Sequence, residues 1–373
     1  CNFTESLCVL CYRIEKILPI NNNLKLFQGG QILRNSISLS AILGIPVRVK
    51  NIRAGRKKPG LAAQHLKGIQ LVAEMCQAKL SGAHIGSTDI QFIPGKIRGG
   101  QYLAHIQTAG SVSLLLQVAL PCALMADSPV ILDLKGGTNV DMAPQIDYMN
   151  EIFRENLKHF GAKYSWKIIK RGYFPRGGGH VQVTVNPIRS LKGVTFHDRL
   201  YRGPHFVNIW SFVAGNLPVK IAYEMANGAK EKIDIIEHPV YTNCIKDQQY
   251  VQNNCSGILP LVTGGVLGAD ALFKGSIDPF EAGQKIGADF MNLIYSGVSL
   301  DSHAQDQMII YMCLAEGKSI VHTGEITLHT KTAIHIAETI AKTKFTIRPD
   351  EEDKNFIECT GLGIFNKNIS IND

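Results

Sequence analysis

The sequence predicts an α+β protein: a large domain of repeated strand-helix-strand-strand units, with a smaller α/β domain inserted into it. Three observations carry this. Segments of two-residue and of helical periodicity follow one another in the same order three times along the chain. A stretch of different texture, 191–294, separates the second unit from the third. The chain has 373 residues, 45% hydrophobic and 19% charged, a composition that supports a sizeable core without disulfides.

The elements follow in order. The first 27 residues match no unit. In the first unit IPVRVKNIR reads as a strand, AAQHLKGIQLVAEMCQAK as a helix, and AHIGS and TDIQFIP as the two closing strands. In the second, PVILDL is a strand and APQIDYMNEIFRENLKHFG a helix stopped by Gly161. KYSWKIIKRG and HVQVTVNP then alternate apolar and polar residues as a strand pair joined across FPRGGG. The third unit runs through KSIVHTGEITLH, a helix over TKTAIHIAETIAKT, then KFTIRP and NFIECTG. Between them lie a strand in IWSFVAGNL, helices over VKIAYEMANGAKEKI and PFEAGQKIGADFMNLIYSG, and the apolar GILPLVTGGVLGADALF. The domain division is therefore 28–190 with 295–373, and 191–294 as the insertion.

Charge narrows the function. The net charge is +8, and from Leu18 to Ala73 no Asp or Glu occurs, while nine Lys and Arg do. Such a stretch suits an anionic ligand, a nucleotide or an RNA end, although a solvated basic face accounts for it about as well. Cys8 and Cys11 form a CxxC with no second half nearby to complete a tetrahedral zinc site. The nine scattered cysteines fit a reducing compartment. No apolar run reaches membrane-spanning length, so no membrane partner is expected.

Several segments could carry chemistry. IRAGRKKPGL places Arg53 and Arg56 at a strand end and in the loop before a helix, with Gln64 and His65 following. Guanidinium forks grip phosphate oxygens in pairs, and a helix N-terminus adds N–H donors. GGQILR sets glycines in front of Arg34. TAGSVSLLLQ brings small residues to a helix start, with Gln117 inside the helix, and GGTNVDMAPQIDY is a glycine-rich turn containing Pro144. In RGYFPRGGGHV a tight loop requiring positive φ explains the three glycines more readily than ligand contact does. His303, Asp306 and Gln307 open an apolar helix. His329 stands at a predicted strand end where a helix begins at once, ringed by Thr327, Thr330 and Thr332, and unprotonated imidazole is a nucleophile. His322 and His335 compete with it by position.

Taken together and in this order, these segments are similar to those of the RNA 3′-terminal phosphate cyclase family. The resemblance spans about 28–190 and 296–362 and is weak between them. It implies the fold read above and a ligase-type activity: ATP-dependent closure of an RNA 3′-phosphate end into a 2′,3′-cyclic phosphate, through a histidine-AMP adduct and an RNA-adenylate. On the family's pattern His329 is the adenylated nucleophile. Gln117, Pro144, His303, Asp306 and Gln307 match nucleotide-binding positions, with Tyr or His used at 303. Arg34, Arg53 and Arg56 match residues that face phosphates. ATP, a divalent metal (Mg or Mn) and RNA with a 3′-phosphate end are the implied partners, and a nuclear location, with the cytoplasm open, is the family expectation.

The sequence departs from the family pattern at Phe27, where an acidic residue is usual, and at Gln28, where a glycine is usual; the metal ligands thus stay unassigned. The first strand of the family fold is expected to be missing or replaced by residues 1–26. The competing reading is an inactive homologue acting as an RNA-binding or ribosome-assembly factor, against which the retention of His329, Arg53 and Arg56 argues.

Overall fold

Period-two and period-3.6 segments resolve, in the computed structural model, into sheets of four strands each, four of them among the described residues. Those residues are 25–28, 32–196, 206–233, 239–247, 253–263, 267–273, 277–350 and 353–369. The glycines and Gln31 of GGQILR lie outside them, as do residues 1–24.

The first sheet takes β1 (Lys25–Gln28), β2 (Val47–Lys50), β3 (Lys79–Ser81) and β4 (Ile90–Ile93) in the order β1-β2-β4-β3, with helices α1 (Leu33–Leu43) and α2 (Ala63–Cys76) in the connections. Its first pair is parallel and the rest antiparallel. The first strand is thus present, paired in register with Val47–Lys50, rather than missing. The strand expected at AHIGS also moves, to Lys79–Ser81. Gly82 and Gly86 adopt φ of 73° and 80°, and such left-handed residues turn the intervening chain instead of extending it.

The second sheet repeats the pattern with β5 (Gly100–His105), α3 (Val112–Leu124), β6 (Val130–Gly136), α4 (Ile146–Tyr148), α5 (Arg154–His159), β7 (Tyr164–Lys170) and β8 (Gly179–Val185). Its order is β5-β6-β8-β7, again parallel in the first pair only. A π-helical turn, Met149–Phe153, joins α4 to α5.

The short β9 (Thr195–Phe196) follows, after which the chain builds another sheet: β10 (Val207–Ala214), α6 (Lys220–Ile233), β11 (Val240–Asp247), β12 (Cys255–Val262), β13 (Ala271–Phe273) and α7 (Pro279–Tyr295). This sheet runs β11-β10-β12-β13. The chain then completes the sheet begun by β9 with α8 (Ser302–Leu314), β14 (Lys318–Thr323), α9 (Leu328–Ile340), β15 (Phe345–Pro349) and β16 (Asn355–Thr360), in the order β9-β14-β16-β15. Although it lies after residue 191, β9 belongs there, parallel to Ile320–Val321. The strand expected over KSIVHTGEITLH stops at Thr323.

The full repeat is therefore strand-helix-strand-helix-strand-strand, one strand and one helix longer than the sequence pattern displayed. The mixed α+β class is the one expected. Helices from the three repeats meet centrally, with α1 against α2, α3 and α9, and α8 against α3 and α9. They share one core containing Ile37, Val72, Leu116, Met308 and Ile336, each 2% exposed or less. The β10–β13 sheet has its own core around Val207, Met225, Ile258 and Phe290. There α6 and α7 approach closely because a Cβ at Gly228 or Gly283 would lie 2.0 Å from a carbonyl oxygen of the facing helix.

Candidate active site

Every expected site residue on a helix lies within the first two turns, and side-chain hydrogen bonds tie several of those helix starts to one another. Arg34 is in the first turn of α1, and Gln64 and His65 are in that of α2. The Ser111 N–H, capping α3, donates to Gln64 Oε1 at 3.1 Å. Across the centre, Gln305 of α8 uses its whole amide on the turn before α9. Its Nε2 donates to Thr323 Oγ1 and to the Glu325 carbonyl (3.2 Å), and its Oε1 accepts from Thr327 N–H (3.0 Å) and Thr330 Oγ1 (2.6 Å). Thr327 caps α9 by accepting from Thr330 N–H at 3.1 Å. His329 therefore lies in the first turn of α9 rather than at a strand end, and it is exposed.

Two clefts adjoin at Arg34. One is lined by Arg34, Asn35, Gln117, Phe153, Asp306 and Gln307; the other by Arg34, Gln64, His65, Gly68, Leu114 and Val118. Burial pulls the Arg34 pKa down, opposed by the Asp306 carboxylate. Burial likewise pushes Asp306 up, opposed by Arg34, His329 and His303, so these four side chains share one electrostatic field. Burial, with Arg53 and Arg34 adding, lowers His65 to about 4, leaving a neutral imidazole whose Nδ1 accepts from Ala62 N–H at 3.3 Å.

His303 carries the opposite perturbation. Burial disfavours its cation, but Asp270 at 3.1 Å, with Asp301 and Asp306, raises it to about 9. Its ring meets Tyr148 edge-on, centroids 5.3 Å apart. Asp301, which caps α8, accepts from Tyr148 Oη (2.6 Å), from His303 and Ala304 N–H (3.0 and 2.8 Å) and from Gly268 N–H (3.3 Å).

The fold thus brings together Arg34, Gln117, His303, Asp306, Gln307 and His329. Arg53 stands beside them at φ 53°, its Nη1 donating to Gly60 carbonyl oxygen at 3.0 Å. Arg56 is exposed in the loop that precedes α2. Pro144 is buried, one residue before Gln145, whose N–H donates to Asp270 Oδ2 at 3.0 Å. Of the competing histidines, His322 stacks on Phe356 and lies 2.9 Å from Asp350, and His335 is exposed midway along α9. The glycine run does backbone work: Gly177 and Gly178 have φ of 71° and 78°, and a Cβ on Gly177 would lie 2.5 Å from the Thr108 carbonyl oxygen.

Sequence reasoning missed Asp270, Asp301, Gln305 and Tyr148. Asp301 was findable, as an Asp just before an apolar helical run is an N-cap signal. Asp270 and Gln305 carry no such signal. Among the described residues, no group of three or more His, Cys, Asp or Glu is arranged to hold a metal ion.

Fold and site together define an α+β protein whose cleft mixes guanidinium, imidazole and carboxylate, side chains whose chemistry suits an anionic ligand. A sequence model of the RNA 3′-terminal phosphate cyclases matches residues 25–347. An RNA 3′-terminal phosphate cyclase of Drosophila melanogaster is 40% identical over 364 residues, covering 95% of this chain and 99% of the relative. One of Pyrobaculum aerophilum is 36% identical over 342 residues (90% and 96%), and one of Nitrosospira multiformis 38% over 323 residues (86% and 90%). The chain belongs to the RNA 3′-terminal phosphate cyclase family of enzymes.

Proposed function

We propose that this chain uses ATP to close an RNA 3′-phosphate into a 2′,3′-cyclic phosphate, with His329 as the nucleophile. The observation that carries the reading is an exposed imidazole in the first turn of α9, in the electrostatic field of Asp306, Arg34 and His303. In the first step a ring nitrogen of His329 bonds to the α-phosphorus of ATP, and the bond from that phosphorus to the β-bridging oxygen breaks, releasing pyrophosphate. An oxygen of the RNA 3′-phosphate then attacks the AMP phosphorus, breaking its bond to His329. The neighbouring 2′-oxygen finally attacks the RNA phosphorus, its proton passes to solvent, and AMP leaves. Adenylation supplies the leaving group that a phosphate monoester lacks, and the attack by an adjacent hydroxyl is intramolecular.

The residues divide the work by charge. Arg34 and the His303 cation neutralise oxygens that gain charge as pyrophosphate departs, and Arg53 and Arg56 receive phosphates at the mouth. Gln117, Gln307 and the backbone around Pro144 hold the nucleotide. A divalent metal would arrive with the ATP phosphates; the described side chains offer no donor set for it, and no step above is routed through one. The three repeats, 28–190 and 295–373 extended by Lys25–Phe27 of the first strand and by Thr195–Phe196, form the catalytic body in this reading. The remainder of 191–294 is an inserted domain, supported by its separate core.

The test incubates purified protein with ATP labelled on the α-phosphate and Mg²⁺ or Mn²⁺, beside His329→Ala. An acid-labile, base-stable adduct on the wild type alone is expected. A folded wild type that takes up no label would reject the reading in favour of an inactive RNA-binding homologue.

A further inference from the structure

Asp270 belongs to none of the segments that make up the body of the site. It lies one residue before β13, on the sheet with its own core, yet its side chain is only 5% exposed and reaches two residues of the large domain, Gln145 and His303. Oδ2 accepts the Gln145 N–H at 3.0 Å, fixing the chain just after Pro144. Oδ1 lies 3.1 Å from His303 Nε2, whose ring is 46% exposed and acts on Asp306, a residue lining the cleft. A second thread runs parallel: Gly268 N–H donates to Asp301, the residue that caps the helix carrying His303.

We propose that Asp270 is a positioning residue for nucleotide binding, by which the β10–β13 sheet sets both the orientation and the positive charge of His303. The inference rests on the reading of this cleft as the ATP site. A carboxylate there works against an anionic ligand unless it acts through another group. Paired with Asp270, the imidazole presents a cation to the ligand; unpaired, it would be a neutral ring at ordinary pH. The charged groups facing His303 are Asp270 from the β12–β13 connection, Asp301 at the start of its own helix, and Asp306 one turn further on; Tyr148 of α4 contributes an uncharged ring. Of the three carboxylates, Asp270 lies nearest the ring and contributes most to holding it protonated.

The experiment measures ATP binding by equilibrium titration from pH 6 to 10 on full-length wild type, Asp270→Asn, His303→Gln and the double variant. Asn retains an acceptor for the Gln145 N–H and removes only the charge. Wild-type affinity should hold until the pH approaches about 9 and then weaken. In Asp270→Asn the weakening should begin near the ordinary histidine value of ~6.5, giving about tenfold weaker binding at pH 8 than wild type. In the His303→Gln background Asp270→Asn should change affinity less than about twofold. An unshifted profile in Asp270→Asn, or an undiminished effect without His303, would overturn the proposal. Should Asp270→Asn fold poorly, a proton NMR titration of wild-type His303 decides: a midpoint well above ~6.5 supports the pairing, and one at ~6.5 overturns it. A wild type that binds ATP but forms no AMP adduct would reject the catalytic reading alone, whereas one that binds no ATP rejects both.

Discussion

The turn that presents His329 and the loop that presents Arg53 and Arg56 flank the two clefts that adjoin at Arg34, the first beside Asp306 and the second beside His65, and are built in opposite ways. The first is held by a buried amide: Gln305 is 1% exposed and spends all four of its hydrogen bonds on residues 323–330. The second is open to solvent from Ala54 to Pro59, and among the described residues its side-chain tether is Arg53 to Gly60. The rigid support suits the role proposed for His329, because a nucleophile must meet phosphorus within a narrow range of distance and angle. In the reading proposed above, an open loop can carry its guanidinium forks to an arriving phosphate, and the pairing itself then sets their geometry.

That contrast predicts an order of effects. The largest belongs to Gln305→Leu, which keeps the size and removes every bond to the turn. Its rate of AMP-adduct formation should fall about 10²-fold, as displacement by about an ångström does elsewhere. If single-turnover labelling shows full speed in a folded Gln305→Leu protein, the rigid half of the comparison is wrong. Next come Arg53→Ala and Arg56→Ala, each expected to lower adenylation efficiency about tenfold, the worth of one charge-assisted contact, with circular dichroism unchanged. Arg53→Ala should be the more damaging, because it also frees the Gly60 end of the loop. Equal and negligible losses would take both arginines out of the site.

The smallest effect is on stability. His303 titrates near ~6.5 when unfolded and near about 9 when folded. Its folded value is the higher, so the pair stabilises fully below ~6.5 and the contribution is lost as pH rises through about 9. Because the ring is half exposed and partly screened, the wild-type melting temperature should fall on the order of 1–2 °C more than that of His303→Gln between pH 6 and 10. Parallel curves in calorimetry would show that the pairing has no energetic weight.

How much of this was legible depended on whether a residue's signal is local. β6 opens with an apolar run, β7 and β8 alternate apolar and polar residues, and α2 and α9 repeat at helical spacing, so their elements could be read directly. β11 could not: most of its residues are half-buried or exposed, and no alternation marks it. β1 has only four residues and is recognised by its parallel partner rather than by its own sequence. The residues brought together at the cleft came from motifs at helix starts, where backbone donors and small residues leave a visible pattern. Asp270 and His303 are 3.1 Å apart in space but lie in separate segments, the first in a region that resembles the family weakly. Gln305 reads as one more polar residue of an apolar helix until Thr323, Thr327 and Thr330 are seen around it.

The two-residue β9 has a bearing on how the chain comes into being. Its partner, Ile320–Val321, is synthesised only after the whole β10–β13 sheet and α8. At roughly 5–20 residues per second, the ribosome leaves β9 without its neighbour for several seconds or more. The first two repeats can close in that interval because each contains all of its own strands. The third repeat, with His329 in it, is the last to be completed, so a nascent chain gains the nucleophile proposed above only after the other repeats have been made.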